Sequence, residues 1–337
     1  MRLLKQDTWA ASIFHTGGTW TDSRCHVDLQ PPSSQAQEEI APEARSLAAA
    51  MGFLRNVAGL LISVALAALV GFYTELQSYA AVCVALQWLS ALYAVPKQDE
   101  RFFDLTGSIT YAVVSRLAYV ANAPVSWRGT LLTAFVWLWC VRLGTFLYSR
   151  IRECGEDKRF AEIRVNPLRF LSVWSIQGLW VLLTVLPVLL NLTHGDDKLE
   201  ITPLDVAGTC TCLWVVGYAL EVTADYQKTQ FRRDERNKGH FIQSGLWGYS
   251  RHPNYCGEIM IWIGVFCVAV HTLPSVALQC WAAVSPAFVT LLLLRVSGIP
   301  LLEKQAEERW GETKAYQQYK AQTSLLLPMP KRKLKDE

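Results

Sequence analysis

The sequence predicts an all-α fold, a polytopic bundle of about seven or eight transmembrane helices. Three observations carry this. Half of the chain is hydrophobic (51% of 337 residues), and the apolar residues gather near 53–73, 77–95, 103–121, 130–148, 170–190, 205–220, 257–273 and 277–295. Each segment comes close to the roughly 20 residues a helix needs to cross a bilayer. The polar stretches between them alternate between strongly basic and nearly free of Lys and Arg. The net charge of +3 is too slight to suggest a nucleic-acid partner.

Residues 1–50 stand apart. Gly17-Gly18, Pro31-Pro32-Ser33-Ser34 and the Gln/Glu run that follows lack apolar periodicity, which predicts a disordered or loosely held extension. Asp7, Asp22 and Asp28 argue against an organelle transit peptide, and no apolar core with a cleavage site marks a secretory signal. Residues 51–330 form the expected transmembrane domain, and 331–337 a basic tail.

The first two spans run from Gly52 to Tyr73 and from Leu76 to Val95, followed by the charged loop Pro96–Arg101. Asp104 and Arg116 fall in or beside the third span, where an ionisable side chain marks a pocket or a buried pair, or else snorkels to the interface. The fourth span carries Arg142 and empties into a polar arm; the fifth contains Gln177 and Pro187. The sixth ends in Glu221 and Asp225, four apart and so on one helix face, followed by Gln227, Lys228, Arg232 and Arg233.

Arg150, Arg152, Lys158, Arg159, Arg164 and Arg169 fill one loop, and Lys228, Arg232, Arg233, Arg236 and Lys238 another. Loops 122–129, 191–203 and 271–276 are nearly bare of such charge. The positive-inside tendency predicts that the basic loops and the C-terminus face the cytosol. Asn191-Leu192-Thr193, a glycosylation sequon, then falls on the far side. The nine cysteines are scattered, mostly within apolar runs, and no spacing suggests zinc or a disulfide framework, so no metal is expected.

The densest chemistry lies in Gly245-Leu246-Trp247-Gly248-Tyr249-Ser250-Arg251-His252-Pro253-Asn254-Tyr255-Cys256-Gly257-Glu258, directly before an apolar run. Pro253 suits the first turn of a helix, and Asn254, Tyr255 and Glu258 then lie within about one turn. The free N–H groups of that turn, with Arg251, make a seat for an anion. Upstream, the carboxylates of Glu221 and Asp225 suit ribose hydroxyls or an amide, and Lys and Arg suit phosphates. An interfacial cap would account for each residue singly. A ligand site accounts for all of them in one stretch. With no Gly-x-Gly-x-x-Gly after a strand, any dinucleotide would be held by helices and their loops.

This stretch resembles the signature of the DUF1295 family. These are polytopic membrane proteins related to the C-terminal domain of steroid 5-alpha-reductases and, more distantly, to sterol C14 reductases and isoprenylcysteine carboxyl methyltransferases. The similarity extends upstream through Glu221–Lys228 and downstream through Val296–Glu303 to Tyr316 and Tyr319, with the signature region at 221–319. It implies a cytosol-facing pocket for NADPH in the C-terminal half. By position, Glu221, Asp225, Arg232, Tyr249, Arg251, His252, Asn254, Tyr255, Glu258 and Tyr316 would line it. The family's proton donor comes from N-terminal helices that carry no match here; Asp104 and Tyr111 are the candidates for that role.

The resemblance therefore implies an NADPH-dependent reductase of a carbon–carbon double bond in a lipid or steroid-like substrate, in the endoplasmic reticulum membrane. An S-adenosylmethionine-dependent methyltransferase of the isoprenylcysteine type is the alternative, since its motif resembles Arg251-His252-Pro253-x-Tyr255-x-Gly257 too, and acidic and aromatic residues such as Glu303, Glu307, Glu308, Tyr316 and Tyr319 follow the last span in both branches. Asn254 and Glu258 point to the reductases. A lipid-binding protein without catalysis is the third reading, because fold alone never settles function.

Overall fold

The computed structural model describes residues 42–195 and 206–332. Most of residues 1–50, the acidic part of the 191–203 loop and the end of the basic tail lie outside the described residues. The fold is an all-α transmembrane bundle. Its helices are α1 (Pro42–Tyr73), α2 (Gln77–Lys97), α3 (Phe103–Ala121), α4 (Trp127–Cys154) and α5 (Pro167–His194). They continue as α6 (Val206–Arg233), α7 (Pro253–Val270), α8 (Val276–Leu291), α9 (Ile299–Trp310) and α10 (Lys314–Gln322). Because α1 starts at Pro42, the end of the expected N-terminal extension is helical.

Each predicted apolar segment coincides with a helix over its described residues, and among these residues six stretches are long and apolar enough to span: Ala50–Tyr73, Gln77–Lys97, Trp127–Glu153, Pro167–His194, Pro253–Val270 and Val276–Trp310. The last joins α8 to α9 through a π-helical turn, Leu292–Val296. The remaining two, α3 and α6, carry ionisable residues of their own. Asp104 and Arg116 interrupt α3, and the second half of α6 carries Glu221, Asp225, Lys228, Arg232 and Arg233.

The chain divides into two compact units. In the one that holds α1, α2 and Cys140–Leu182, polar side chains stitch helices together. Gln87 donates to Thr110 over 2.9 Å, Trp88 to Ser175 over 2.8 Å and Ser172 to the Asn56 carbonyl over 2.7 Å. Beside them sits a buried ion cluster. The Asp104 carboxylate meets Arg150 at 3.4 Å and Arg159 at 3.0 Å, and Glu100 takes Arg164 at 2.8 Å. Asp157 is half-buried, and desolvation pushes its carboxyl up, but the Arg159 and Arg150 guanidiniums more than offset this and hold it below its usual range. Asp104 thus belongs to a buried pair rather than snorkelling.

The other unit comprises Ala118–Trp139 and the chain from Leu183 onward, and the signature region lies wholly within it. Arg128, 1% exposed, is folded in and donates to the Val268 carbonyl over 3.1 Å. Asn191, the sequon acceptor, sits within α5 at 6% exposure, and its Nδ2 donates to Thr272 Oγ1 over 2.6 Å. That amide is committed to packing, so the sequon is not presented as an exposed loop would present it.

The antiparallel pair α6–α7 is the spine of this unit. A Cβ on Gly217 would lie 2.8 Å from the Gly257 carbonyl oxygen, and one on Gly257 would lie 2.7 Å from the Glu221 nitrogen. Two turns further, one on Gly264 would lie 3.0 Å from the Trp214 nitrogen. Small residues let the backbones touch, and any side chain there forces the helices apart. We expect Gly257→Val to destabilise the protein by about 1–3 kcal/mol, the cost of overpacking. A lower thermal-unfolding midpoint in detergent checks it; an unchanged midpoint would mean the two helices separate freely.

Candidate functional site

The site is built where α6 leaves and α7 enters. Gly245 has φ +59°, in the left-handed region, and a Cβ there would lie 2.5 Å from Gln227 Oε1. The turn it opens is tied to α6: Gln227 Oε1 accepts from Leu246 N at 2.9 Å, and Trp247 Nε1 donates to the Ala224 carbonyl at 3.0 Å. Lys228 stands 4.5 Å above the Trp247 ring. On the other side, the Tyr319 hydroxyl of α10 donates to the Trp247 carbonyl over 2.7 Å. Pro253 then occupies the first turn of α7, where its missing N–H costs nothing.

Four predicted residues converge around a fifth that composition and spacing alone did not single out. Glu303, on α9, offers one carboxylate oxygen to the Arg251 guanidinium and the other to His252 Nε2 at 2.8 Å. Tyr255 stacks on the His252 ring at 5.7 Å and 10°, and Gly298 fits against Tyr255, where a Cβ would lie 3.1 Å from its ring. Tyr316 packs edge-on to Phe241 at 5.2 Å, within a cluster that includes Trp310 and Tyr319. Burial, with the Glu303 charge adding to it, pushes the Tyr316 hydroxyl up to about 12. It stays a neutral donor.

Asp225 Oδ1 accepts from Asn254 Nδ2 at 3.1 Å, which fixes the amide orientation, because a carboxylate has no proton to give. Glu221 is buried one turn earlier at the Gly257 crossing. Glu258 shares the face of Asn254 but has other neighbours. It accepts from Trp139 Nε1 of α4 at 3.2 Å and from Trp262 Nε1 at 3.0 Å.

Not every predicted residue joins the cluster. Arg232 is exposed at the end of α6, and Tyr249 is 52% exposed. Asp104 and Tyr111 belong to the other unit, both buried, Asp104 in its ion cluster. Among the described residues, no group of three or more His, Cys, Asp or Glu is placed to hold a metal ion.

Burial lowers the His252 pKa, and the charges of Lys228 and Arg251 lower it further against the opposing pull of Glu303. The neutral ring places its proton on Nε2, facing Glu303, and leaves Nδ1 as an acceptor. Among the described residues, His252 Nδ1, Arg251 Nε, Asn254 Oδ1 and Ser297 Oγ are buried without a hydrogen-bond partner. Orphaned polar atoms of this kind are costly and demand an explanation. Two acceptors, a donor and a hydroxyl concentrated at one helix entry suit a polar ligand with both donors and acceptors.

A family model described as "Protein of unknown function (DUF1295)" matches residues 91–323, well over half of the chain. No curated protein and no solved structure matches the chain.

The unfolded chain binds the histidine proton near 6.5, whereas folded His252 binds it only at lower pH. The unfolded state therefore holds more protons in that window. Stability from this group is complete above 6.5 and is lost as the pH falls toward the depressed folded value. Thermal unfolding of wild type and His252→Asn across that range should show a steeper acid loss in the wild type. Parallel curves would mean that His252 is not held neutral.

Proposed function

As the chain belongs to the DUF1295 family, we propose that it is a membrane-embedded, NADPH-dependent reductase of a carbon–carbon double bond in a lipid or steroid-like substrate. The observation that carries this reading is the set of orphaned polar atoms at the entry to α7. Its donor and acceptor pattern fits a carboxamide. An amide N–H₂ suits Asn254 Oδ1 and His252 Nδ1, and an amide carbonyl suits Arg251 Nε or the Ser297 hydroxyl. The carboxylates of Glu221 and Asp225 suit ribose hydroxyls. Lys228, Arg232 and Arg233, at the end of α6, suit phosphates by charge.

The chemistry supplied by bound NADPH is a hydride to one carbon of the double bond. The chain's residues bind and orient. Glu303 holds His252 in the tautomer that leaves Nδ1 accepting, and Asp225 aims the Asn254 carbonyl oxygen away from itself. Tyr255 stacks on the imidazole, and Gly298 lets the chain pass close to the Tyr255 ring. The basic residues of this region suit the cytosolic face of the endoplasmic reticulum membrane, where NADPH is available to such a site.

Titration of detergent-purified protein with NADPH and with S-adenosylmethionine tests the reading. Saturable NADPH binding is expected, weakened about three- to tenfold by Asn254→Ala, the scale of one hydrogen bond, and abolished as turnover by Glu258→Gln. The unfolding midpoint should stay nearly constant in both variants. Binding of S-adenosylmethionine instead would make the chain a methyltransferase, and binding of neither would leave a lipid-binding role.

A further inference from the structure

The segment after α10 folds back across the loop that leads into α7. Ser250 and Ser324 form a single parallel bridge, and the Arg251 N–H donates to the Ser324 carbonyl over 2.8 Å. Ser250 Oγ donates to the Leu326 carbonyl over 2.6 Å, and Met329 N to the Tyr249 carbonyl over 3.0 Å. Arg332 N, bonded to the Gln322 carbonyl at 3.0 Å, closes the segment on itself. This strap is therefore held firmly, yet it leaves apolar side chains in the open. Leu325, Leu327 and Met329 are 39%, 53% and 46% exposed. They lie within five residues of one another, in a bent segment pinned at Ser324, Leu326 and Met329. Tyr249, whose carbonyl anchors Met329, adds an amphipathic ring.

Two facts say what covers that row. The strap is bonded to residues 249–251, and the apolar span Pro253–Val270 begins directly after them. At roughly 1.5 Å per helical residue, the strap lies within about one turn of the membrane entry. Next, Lys331 and Arg332 follow the apolar row, both exposed and without an ion pair among the described residues. The stem of Lys331 packs at Gly248, its Cε 3.9 Å from where a Cβ would sit. Apolar side chains followed by two cations, at interfacial depth, match an anionic phospholipid surface.

We propose that residues 324–332 form a leaflet-docking strap. Leu325, Leu327 and Met329 enter the headgroup boundary, and Lys331 and Arg332 engage anionic phospholipid headgroups. The proposal stands apart from the reductase reading, since it needs neither NADPH nor turnover. A fluorescent amino acid placed at Leu327 of the full chain tests it, in nanodiscs of phosphatidylcholine with brominated tails, with and without phosphatidylserine. Quenching by the brominated tails is expected, stronger with phosphatidylserine. Lys331→Gln and Arg332→Gln should each shift the inserted-to-detached ratio about fivefold in the anionic discs and leave the neutral discs unchanged. The same residue at Leu325 should report the same pattern, which separates docking from a local effect of the probe. A fluorophore that stays unquenched in both discs at both positions would overturn the proposal. So would a Lys331→Gln, Arg332→Gln double variant that behaves as wild type in anionic discs, since the two cations would then engage no headgroups.

Discussion

The backbone contact of α6 with α7 sets the register of everything else at the candidate site. With glycine at 217 and 257 the two helices touch, and they run antiparallel. Fixing Glu221 beside Gly257 therefore brings the next turn of α6 to the first turn of α7, which is why Asp225 meets Asn254. The same register puts Ala224 where the Trp247 indole can reach its carbonyl. A single methyl group at either glycine would displace this whole set of partners together. The specificity of the arrangement comes from absence of side chain, as it commonly does between helices in lipid, where apolar area alone gives little drive to associate.

Glu303 supplies the second constraint. One carboxylate serves both a guanidinium and an imidazole, so the charge of Arg251 is balanced within the protein before any ligand arrives. An isolated cation at this depth would be expensive, and one left unpaired by loss of Glu303 would be more so. The consequence for binding is specific. An Arg251 already matched to a carboxylate is a weaker seat for a bare phosphate than the first-turn position suggested. What remains open is its Nε, a directional donor beside two acceptors. That edge favours an amide over an anion.

Local spacing made the spans legible, and with them the signature stretch and the face shared by Asn254, Tyr255 and Glu258. It also marked Asp104 as an ionisable group in an apolar setting, whose reading was a pocket or a buried pair. Partners were another matter. Asp104 is answered by Arg150 and Arg159, 46 and 55 residues away, and His252 by Glu303, 51 residues away. No helical period carries such information. Glu303 did stand in the downstream similarity, so the signal for it was an acid just after Pro300; its target was not written there. Asn254 and Glu258 show the finer limit. A spacing of four guarantees a shared face, yet one turn along α7 the neighbour changes from α6 to α4, and so the partner changes from Asp225 to Trp139.

That change of neighbour bears on how a ligand would lie. Glu258 is a carboxylate inside a spanning helix, gripped by two indole N–H groups whose rings meet edge to face at 5.0 Å. Indoles only donate, and they bring no positive charge. If packing were the sole requirement, an apolar residue would fill this position at lower cost, because an acid within a spanning helix is expensive to desolvate. Its presence one turn below Asn254 extends a line of acceptor oxygens from Asp225 through Asn254 toward the membrane interior. A ligand following that line has to bring donors, as an amide and hydroxyls do. The phosphates of the proposed cofactor then point the other way, toward Lys228, Arg232 and Arg233 at the polar end of α6. On the proposed reading the reactive ring is thereby the part sent deepest, which is where a double bond in a lipid would be met.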